Sequence, residues 1–419
     1  MFVSIFAALA LVASPADGQE PSAPQRLSFR SVLTEAWARN PNLRAYEREA
    51  QAVLDRADAS ASFPDPVVGF SIHDLPISTF SFREDMMTMA QAEVRQRFPW
   101  FGKRELTRRA TRKGAEVLAA DEEAYALELT DAVARAYADL WRVVRTRDVL
   151  SLQAETLERL VRLARQGLAV GEGAQADVLL AEAELSALSE TLLRLDREEA
   201  RARAALGAAT GSGSPLAGEP EDPDVFALPP LEELLGALDR HPEILALRHR
   251  MEAFHLEARL ARREKMPDPE IGISYGVRAT HPNTIGVGVS FPIPVFGALR
   301  ADRLAAAAEA EAQAIERRLQ GRRDALEAEL RSAWAEARAE LERHRLYEEE
   351  ILPQAVRSAS AAAAAYVAGR GTFLSVIERE RYVLSLRERL LTTRAAAFDA
   401  LVRLATTSGD RMRLLGGDS

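Results

Sequence analysis

The sequence predicts a mainly α-helical fold with a small β part: long antiparallel helices of the coiled-coil type, and four β-strands per chain. Three observations predict it. The 419-residue chain contains the same order of landmarks twice, at a period of about 200 residues. Each copy has one helical run of about 65 residues. Each copy also has two short segments in which apolar and polar or small side chains alternate.

Composition excludes several classes of protein. The chain has no cysteine, which excludes disulfides, thiolate metal sites and a cysteine-linked lipid anchor. Its formal net charge is -9, so we expect no binding to nucleic acid. The sequence has no phosphate-binding glycine loop, no His-Glu-x-x-His and no nucleophile turn. We therefore predict that the protein is not an enzyme and needs no cofactor.

The first residues predict export. An apolar run from Phe2 to Val12 is too short to span a bilayer as a helix, and small residues follow it. We predict a signal peptide over residues 1–18 and a linker over 19–28. No Lys or Arg precedes the apolar run, which departs from the usual signal pattern. The alternative is a disordered or buried start.

The duplication relates residues 29–206 to residues 231–408. A segment rich in Gly, Pro and Ser, residues 207–230, is the predicted linker, and residues 409–419 are a predicted flexible tail. Four landmarks of the first copy recur in the same order in the second. Asn40-Pro41 corresponds to His241-Pro242, and Pro64-Asp65-Pro66 corresponds to Pro267-Asp268-Pro269. Phe98-Pro99 with Phe101-Gly102 corresponds to Phe291-Pro292 with Phe296-Gly297, and Gly171-Glu172-Gly173 corresponds to Gly369-Arg370-Gly371.

Each copy predicts a helix, a β-hairpin, a long helix, a turn and a last helix. The hairpins lie at about 66–98 and 269–292, the long runs at about 103–168 and 299–366, and the turns at about 168–174 and 367–372. At 1.5 Å per residue a run of about 65 residues extends roughly 100 Å. Apolar residues at three- and four-residue spacing predict that it packs as a coiled-coil-like rod. Pro353 predicts a kink or break in the second run.

The alternating segments predict contact with a membrane. In the fourth segment Ile285, Val287 and Val289 alternate with glycines. Each segment has the length of a tilted bilayer-crossing strand, about 9–11 residues, although a single one could be an ordinary half-buried hairpin. Four strands cannot close a barrel, and an open sheet in lipid leaves edge amides unsatisfied. The chain must therefore oligomerise: two copies of four strands supply eight, near the minimum of about eight, and three supply twelve.

These features together resemble the TolC-like outer-membrane efflux family. The resemblance covers nearly the whole chain after the predicted signal, and rests on the repeat, on Pro-Asp-Pro before each hairpin, on Phe98 to Lys103 and Phe291 to Gly297, and on the turn before Asp177. It implies a homotrimer with a 12-stranded barrel in the outer membrane lipid and a helical tunnel in the periplasm. The implied function is the exit duct of a tripartite efflux system. The implied partners are a periplasmic membrane-fusion adaptor and an inner-membrane pump, with the RND type favoured.

The resemblance also implies roles for particular residues. The residues expected at the periplasmic tip, where the adaptor would dock, are Gly171, Gly173, Asp177, Gly369 and Gly371. Two acidic positions narrow the tunnel entrance in the family; by position they fall here on Ser375 and Glu378, so only one is acidic. The alternative for Glu378 is a solvated helix residue.

Six residues are predicted to form a structural swivel where strand becomes helix, because Pro cannot continue a ladder and Gly permits unusual dihedrals. They are Phe98, Pro99, Gly102, Phe291, Pro292 and Gly297.

The sequence is compatible with more than one kind of cargo. His73, Met86, Met87 and Met89 are weak candidates for a metal site, because thioether and imidazole ligands suit Cu(I), and this stretch resembles the heavy-metal (CzcC-like and CusC-like) branch. Methionine is also a common core or lipid-facing filler. The other histidines, His249 among them, show no ligand-like spacing. Drug efflux and a type I protein secretion duct remain alternatives; a soluble coiled-coil scaffold is the alternative of a different class.

Overall fold

The computed structural model describes residues 26–170, 174–293 and 296–410. The elements associated with the first copy are β1 (Arg26–Leu27), α1 (Phe29–Arg39), α2 (Pro41–Ser60), β2 (Val67–His73), β3 (Met89–Arg97), α3 (Lys103–Ala169) and α4 (Gln175–Ala209). Those that follow are β4 (Glu219–Pro220), α5 (Leu231–Ala237), α6 (Pro242–Arg263), β5 (Glu270–Val277), β6 (Thr284–Ser290), α7 (Gly297–Leu346), α8 (Leu352–Val367) and α9 (Phe373–Thr407). The mainly helical fold with four hairpin strands is confirmed. The predicted signal peptide and residues 411–419 lie outside the described residues.

The Asn-Pro and His-Pro landmarks are helix starts. The Asn40 side chain accepts a hydrogen bond from Asn42 N at 2.9 Å, and Pro41 is the first residue of α2. In the second copy His241 Nδ1 accepts from Glu243 N at 3.3 Å, and Pro242 begins α6. Each cap satisfies an N–H that the first helical turn leaves free, and a proline in this position has no N–H to satisfy.

The His241 cap makes stability depend on pH. The side chain is only 4% exposed. Burial lowers its pKa below the usual 6.5; Arg322 acts in the same direction, against Glu243 and Glu329. Below pH 6.5 His241 therefore binds a proton in the unfolded chain before it does so in the folded chain. The contribution of His241 to the free energy of unfolding is therefore fully present above pH 6.5. It decreases as the pH falls from 6.5 towards the pKa of the folded state, by at most about 1.4 kcal/mol per pH unit.

We expect His241→Asn to remove this part of the pH dependence while keeping the cap, because Asn40 performs the same capping in the first copy. The measurement is the unfolding midpoint of both proteins in detergent between pH 7.5 and pH 5. Parallel curves for the two proteins would contradict the assignment. Asn40→His is the reciprocal variant, and we expect it to make the unfolding midpoint depend more steeply on pH.

Helices α3 and α9 hold the bundle together. Helix α3 packs against α2, α4, α6 and α9, and α7 packs against both α6 and α9. Between α7 and α8 the backbone forms a π-helical turn, Tyr347–Ile351, just before Pro353. Proline lacks the N–H of a regular helix and its ring crowds the preceding turn, so the predicted interruption occurs here. Among the described residues, none of the helices combines enough length with enough apolar character to cross a bilayer.

The linker between the copies is docked onto the middle of α3. Strands β1 and β4 pair in parallel, with Leu27 opposite Pro220. The buried Tyr137 Oη lies 2.8 Å from both Leu27 O and Glu221 O, and can donate to one at a time. Trp141 Nε1 donates to Asp222 Oδ1 at 3.0 Å. The Gly- and Pro-rich composition predicted a linker, but gave no sign of these contacts.

The four hairpin strands form one antiparallel sheet in the order β2-β3-β5-β6. Strands β3 and β5 join the two copies, with Arg97 opposite Glu270. Strands β2 and β6 are the two edges. Their apolar side chains point away from the protomer: Phe70 is 82% exposed and Val287 is 73% exposed. A sheet with an exposed apolar face and two open edges is incomplete in a single chain.

Candidate functional site

The turn between α8 and α9 is built on two glycines. Gly369 has φ +68°, a left-handed conformation that favours glycine. Arg370 N donates to Ala365 O and Gly369 N donates to Tyr366 O, both at 2.9 Å, so the free carbonyls at the end of α8 are satisfied. A Cβ on Gly371 would lie 3.1 Å from Tyr366 N. Gly171 and Gly173, predicted for the matching turn, lie outside the described residues.

The helix ends around this turn pack on one another. The rings of Tyr366 and Phe373 lie 5.4 Å apart. Phe373 belongs to a buried cluster with Val178 of α4 and Val161 of α3, so the two copies share one core here. The pKa of Tyr366 is raised, mainly by burial and to a smaller extent by the Asp177 carboxylate. Asp177, Gly369 and Gly371 are therefore close to the same packed end of the molecule.

The two predicted entrance residues have different environments. Ser375 is part of the cap of α9: its N–H donates to Thr372 Oγ1 at 3.3 Å and its hydroxyl donates to Thr372 O at 2.7 Å. Glu378 is exposed. Arg381 forms an ion pair with Glu184 of α4, and this pair raises the pKa of Arg381. The Glu378 carboxylate also acts to raise the pKa of Arg381. The ion pair joins residues 197 positions apart, so the sequence pattern gave no sign of it.

The first swivel is fixed to the second Pro-Asp-Pro. Gly102, with φ +85°, precedes α3. Phe98 N donates to Pro269 O, and Trp100 N donates to Asp268 Oδ1, both at 2.8 Å. The buried Lys103 ammonium donates to Asp268 Oδ1 and to Met266 O, also at 2.8 Å. We call this set of contacts the Asp268 joint.

The second swivel has a different backbone. Gly297 is the first residue of α7, and Phe296 before it has φ -101°. The expected unusual dihedral therefore occurs at Gly102, whereas Gly297 is helical. Phe291, Pro292 and Ile293 are exposed after β6. Residues 294 and 295 lie outside the described part of the chain.

The weak metal candidates are only partly brought together. His73 of β2 lies opposite Met89 of β3 in the strand register. His73 Nε2 lies 2.9 Å from Ser71 Oγ. Met86 and Met87 are exposed in the loop between these strands. A soft metal site at His73 and Met89 stays a prediction.

The fold also assembles a group that sequence spacing did not show. Ligand atoms of Glu116 on α3 and of His249 and Glu252 on α6 lie within 4.8 Å of one another. The Lys113 ammonium lies 2.5 Å from Glu116 and 2.7 Å from Glu252. Burial alone would lower the Lys113 pKa, but the two carboxylates raise it. Since this lysine already supplies a positive charge between the carboxylates, we assign no metal here. The contacts of His249 with Glu116 and Glu252 were not predicted from the sequence.

Comparison with known proteins agrees with this architecture. VceC, an outer membrane protein of Vibrio cholerae, is 20% identical, with a TM-score of 0.69 over 91% of this chain and 96% of that one. The open MtrE outer membrane channel of Neisseria gonorrhoeae is 18% identical, with a TM-score of 0.71 over 91% and 89%. CusC, described with transmembrane channel formation, is 17% identical, with a TM-score of 0.72 over 91% and 92%. At these identities the similarity shows the fold.

No curated protein sequence matches the chain. The outer membrane efflux protein family matches residues 32–212 and 235–410. These two segments cover nearly all of both copies of the repeat, and include both hairpins and the turn at Gly369. The chain therefore belongs to the outer membrane efflux protein family, whose members are transport conduits and not enzymes.

Proposed function

We propose that the protein is the outer-membrane exit duct of a tripartite efflux system. It acts as a homotrimer that receives substrate from a periplasmic membrane-fusion adaptor and an inner-membrane pump of the RND type. The observation that carries the proposal is the exposed apolar face of the four-stranded sheet at one end of a rod. Helix α3 has 67 residues, which is about 100 Å at 1.5 Å per residue.

The open edges of the sheet support assembly from several copies of the chain. A strand edge in lipid leaves N–H and C=O groups without partners, at a cost of several kcal/mol each. The β2 and β6 edges therefore require strands from other copies. Three copies of four strands give the twelve strands implied by the family resemblance, and place three α3 rods side by side around one tunnel. The packed end at Gly369 and Gly371 then lies in the periplasm, where the adaptor would dock.

We propose heavy-metal cations or drugs as the cargo. The placement of His73 opposite Met89 favours a metal cation, because imidazole and thioether groups bind soft metals. The type I secretion duct has the same architecture, and differs in the pump with which it works.

The test has two parts. In a strain that lacks the gene, we expect sensitivity to a panel of metals and drugs to increase, and the full-length gene to restore tolerance. In fractionated cells, we expect the protein in the outer membrane, extracted only by detergent. A protein that appears in the soluble fraction without detergent would contradict the proposal, and loss of a secreted protein with unchanged tolerance would support the type I duct.

A further inference from the structure

The four-stranded sheet has a second face, opposite the exposed apolar one, which we call the polar face. Side chains of a strand alternate between the two faces, so every second strand residue belongs to it. On β2, β5 and β6 the polar face is formed mainly by small residues: Gly69, Ser71, Gly272, Ser274, Gly276, Thr284, Gly286, Gly288 and Ser290. Val67, His73 and Glu270 complete these strands at their ends. The long side chains are concentrated on β3: Met89, Gln91, Glu93, Arg95 and Arg97.

Two of these glycines lie beneath charged side chains of β3. Glu93 is opposite Gly69, and a Cβ on Gly69 would lie 3.0 Å from Glu93 Oε1. Arg95 is opposite Gly272, where a Cβ would lie 3.5 Å from Arg95 Cγ. The missing side chains therefore leave space in which the charged groups lie flat along the sheet. A larger residue in place of Gly69 would compete for the space that the Glu93 carboxylate occupies.

The charged groups of the polar face are equal in number and opposite in sign. Glu93 and Arg95 form an ion pair along β3, and the Glu93 side chain is only 22% exposed. Arg97 lies opposite Glu270 on the neighbouring strand. With histidine neutral, the two glutamates and two arginines give the strand residues of this face a formal charge of zero. A surface with an excess of one sign concentrates ions of the other sign, and a balanced surface does not.

We propose that the polar face is the wall of the exit pore, and that Glu93 and Arg95 determine its charge selectivity. The inference rests on the proposed duct, and adds to it that the sheet part of the pore admits cargo of either charge sign. Gly69 is a positioning residue: it keeps the Glu93 carboxylate flat on the sheet beside Arg95, so that neither charge acts alone on the solute. Selection of cargo by charge then belongs to other parts of the efflux system.

The absence of cysteine allows one introduced thiol to report the charge of the pore wall. Ser274 lies opposite Glu93, so Ser274→Cys places the thiol beside the ion pair. The purified protein in nonionic detergent is treated with a cationic and with an anionic methanethiosulfonate reagent. The salt concentration is about 0.15 M, at which charges more than about 8 Å away are largely screened. Each rate is divided by the rate of the same reagent with a free thiol in solution, and we expect the two normalised rates to be similar.

Removal of one member of the ion pair is expected to shift the two rates in opposite directions. In Ser274→Cys with Glu93→Gln, Arg95 is unpaired, so the anionic reagent should react faster and the cationic reagent more slowly. The expected change is roughly threefold in each rate, the effect of a unit charge about 6 Å away in water. Ser274→Cys with Arg95→Gln should give the reverse. A change in the reactivity of the thiol itself alters both rates alike, and cancels in their ratio.

A further variant tests the positioning role of Gly69. Gly69→Val occupies the space over which Glu93 lies, and turns its carboxylate towards the thiol at position 274. We expect a shift in favour of the cationic reagent, and no such shift when Glu93→Gln is also present. The matched control is Gly288→Val, which adds the same side chain to the polar face where a Cβ meets nothing within 4 Å. Its rates should equal those of Ser274→Cys alone.

The outcomes separate this inference from the proposed duct. Unequal normalised rates in Ser274→Cys, or a ratio that neither Glu93→Gln nor Arg95→Gln changes, would overturn the inference and leave the duct intact. Equal shifts for Gly69→Val and Gly288→Val would overturn the role of Gly69. Val287→Cys, on the apolar face that detergent covers, should react much more slowly than Ser274→Cys. A faster reaction at position 287 would overturn both proposals, because the apolar face would then be the one in contact with water.

Discussion

Replacement of Gly371 by valine is expected to abolish export while the assembled protein remains in the outer membrane. A Cβ at this position meets backbone, at 3.1 Å from Tyr366 N and 3.2 Å from Ala365 C. Backbone cannot rotate away as a flexible side chain can, so the turn and the end of α8 must move apart by a few tenths of an ångström. We expect this shift to disturb the packing of the Tyr366 and Phe373 rings at the start of α9. We expect a local cost of about 1–3 kcal/mol.

The readout is tolerance of the compound to which the deletion strain becomes sensitive. We expect the Gly371→Val strain to match the deletion strain, with the same amount of trimer in the outer membrane as wild type, because the sheet lies at the other end of α3. Gly321→Ala is the matched control: it lies within α7, and a Cβ there meets nothing within 4 Å. Normal tolerance in the Gly371→Val strain would show that this turn is not part of the opening end.

Replacement of Trp141 by alanine is expected to lower the free energy of unfolding by about 3–5 kcal/mol. The side chain is 1% exposed, and it packs where α3 meets α1, α9 and the linker. Its indole N–H is also a partner of Asp222. Burial would raise the pKa of that carboxylate, but the Trp141 hydrogen bond and the charges of Arg394 and Arg145 lower it overall. The variant therefore creates a cavity and removes one of the groups that stabilise the charge of the half-exposed Asp222 carboxylate.

Denaturant unfolding of the purified protein in detergent measures this effect. Trp141→Phe keeps an aromatic ring but not the donor; since Arg145 Nε still reaches Asp222 Oδ1 at 3.3 Å, we expect a smaller loss of about 1 kcal/mol. Leu152→Ala, half-exposed on the same helix, is the control and should change stability by less than about 0.5 kcal/mol. Equal losses for the Trp141→Ala and Leu152→Ala variants would contradict the role of this core.

Much of the fold could be predicted because the starts and ends of its helices and strands are set by residues close to them in the sequence. Asn40 and His241 cap the helices that they precede, and prolines begin those helices. The left-handed backbones at Gly102 and Gly369 fall at turns that glycine indicated. Alternation of apolar and small residues is also a local pattern, and it located all four strands of the sheet. The interruption before Pro353 follows from a single residue.

The contacts that order these elements could not be predicted in the same way. Lys103 and Asp268 are 165 positions apart, and Arg381 and Glu184 are 197 apart. In a chain with 28% charged residues, the sequence offers many partners for each of these groups. Only the fold selects one. His249 shows the same limit: its neighbour Glu116 belongs to the other copy, so spacing along the chain carried no information about it.

The Asp268 joint has a consequence for the order of assembly. Lys103 of the first copy and Asp268 of the second are bonded within one polypeptide, and strands β3 and β5 pair beside them. Each polypeptide can therefore pair its own four strands before it meets a neighbour. In the proposed trimer, heating would then separate whole polypeptides from one another before it separates the strands within any of them.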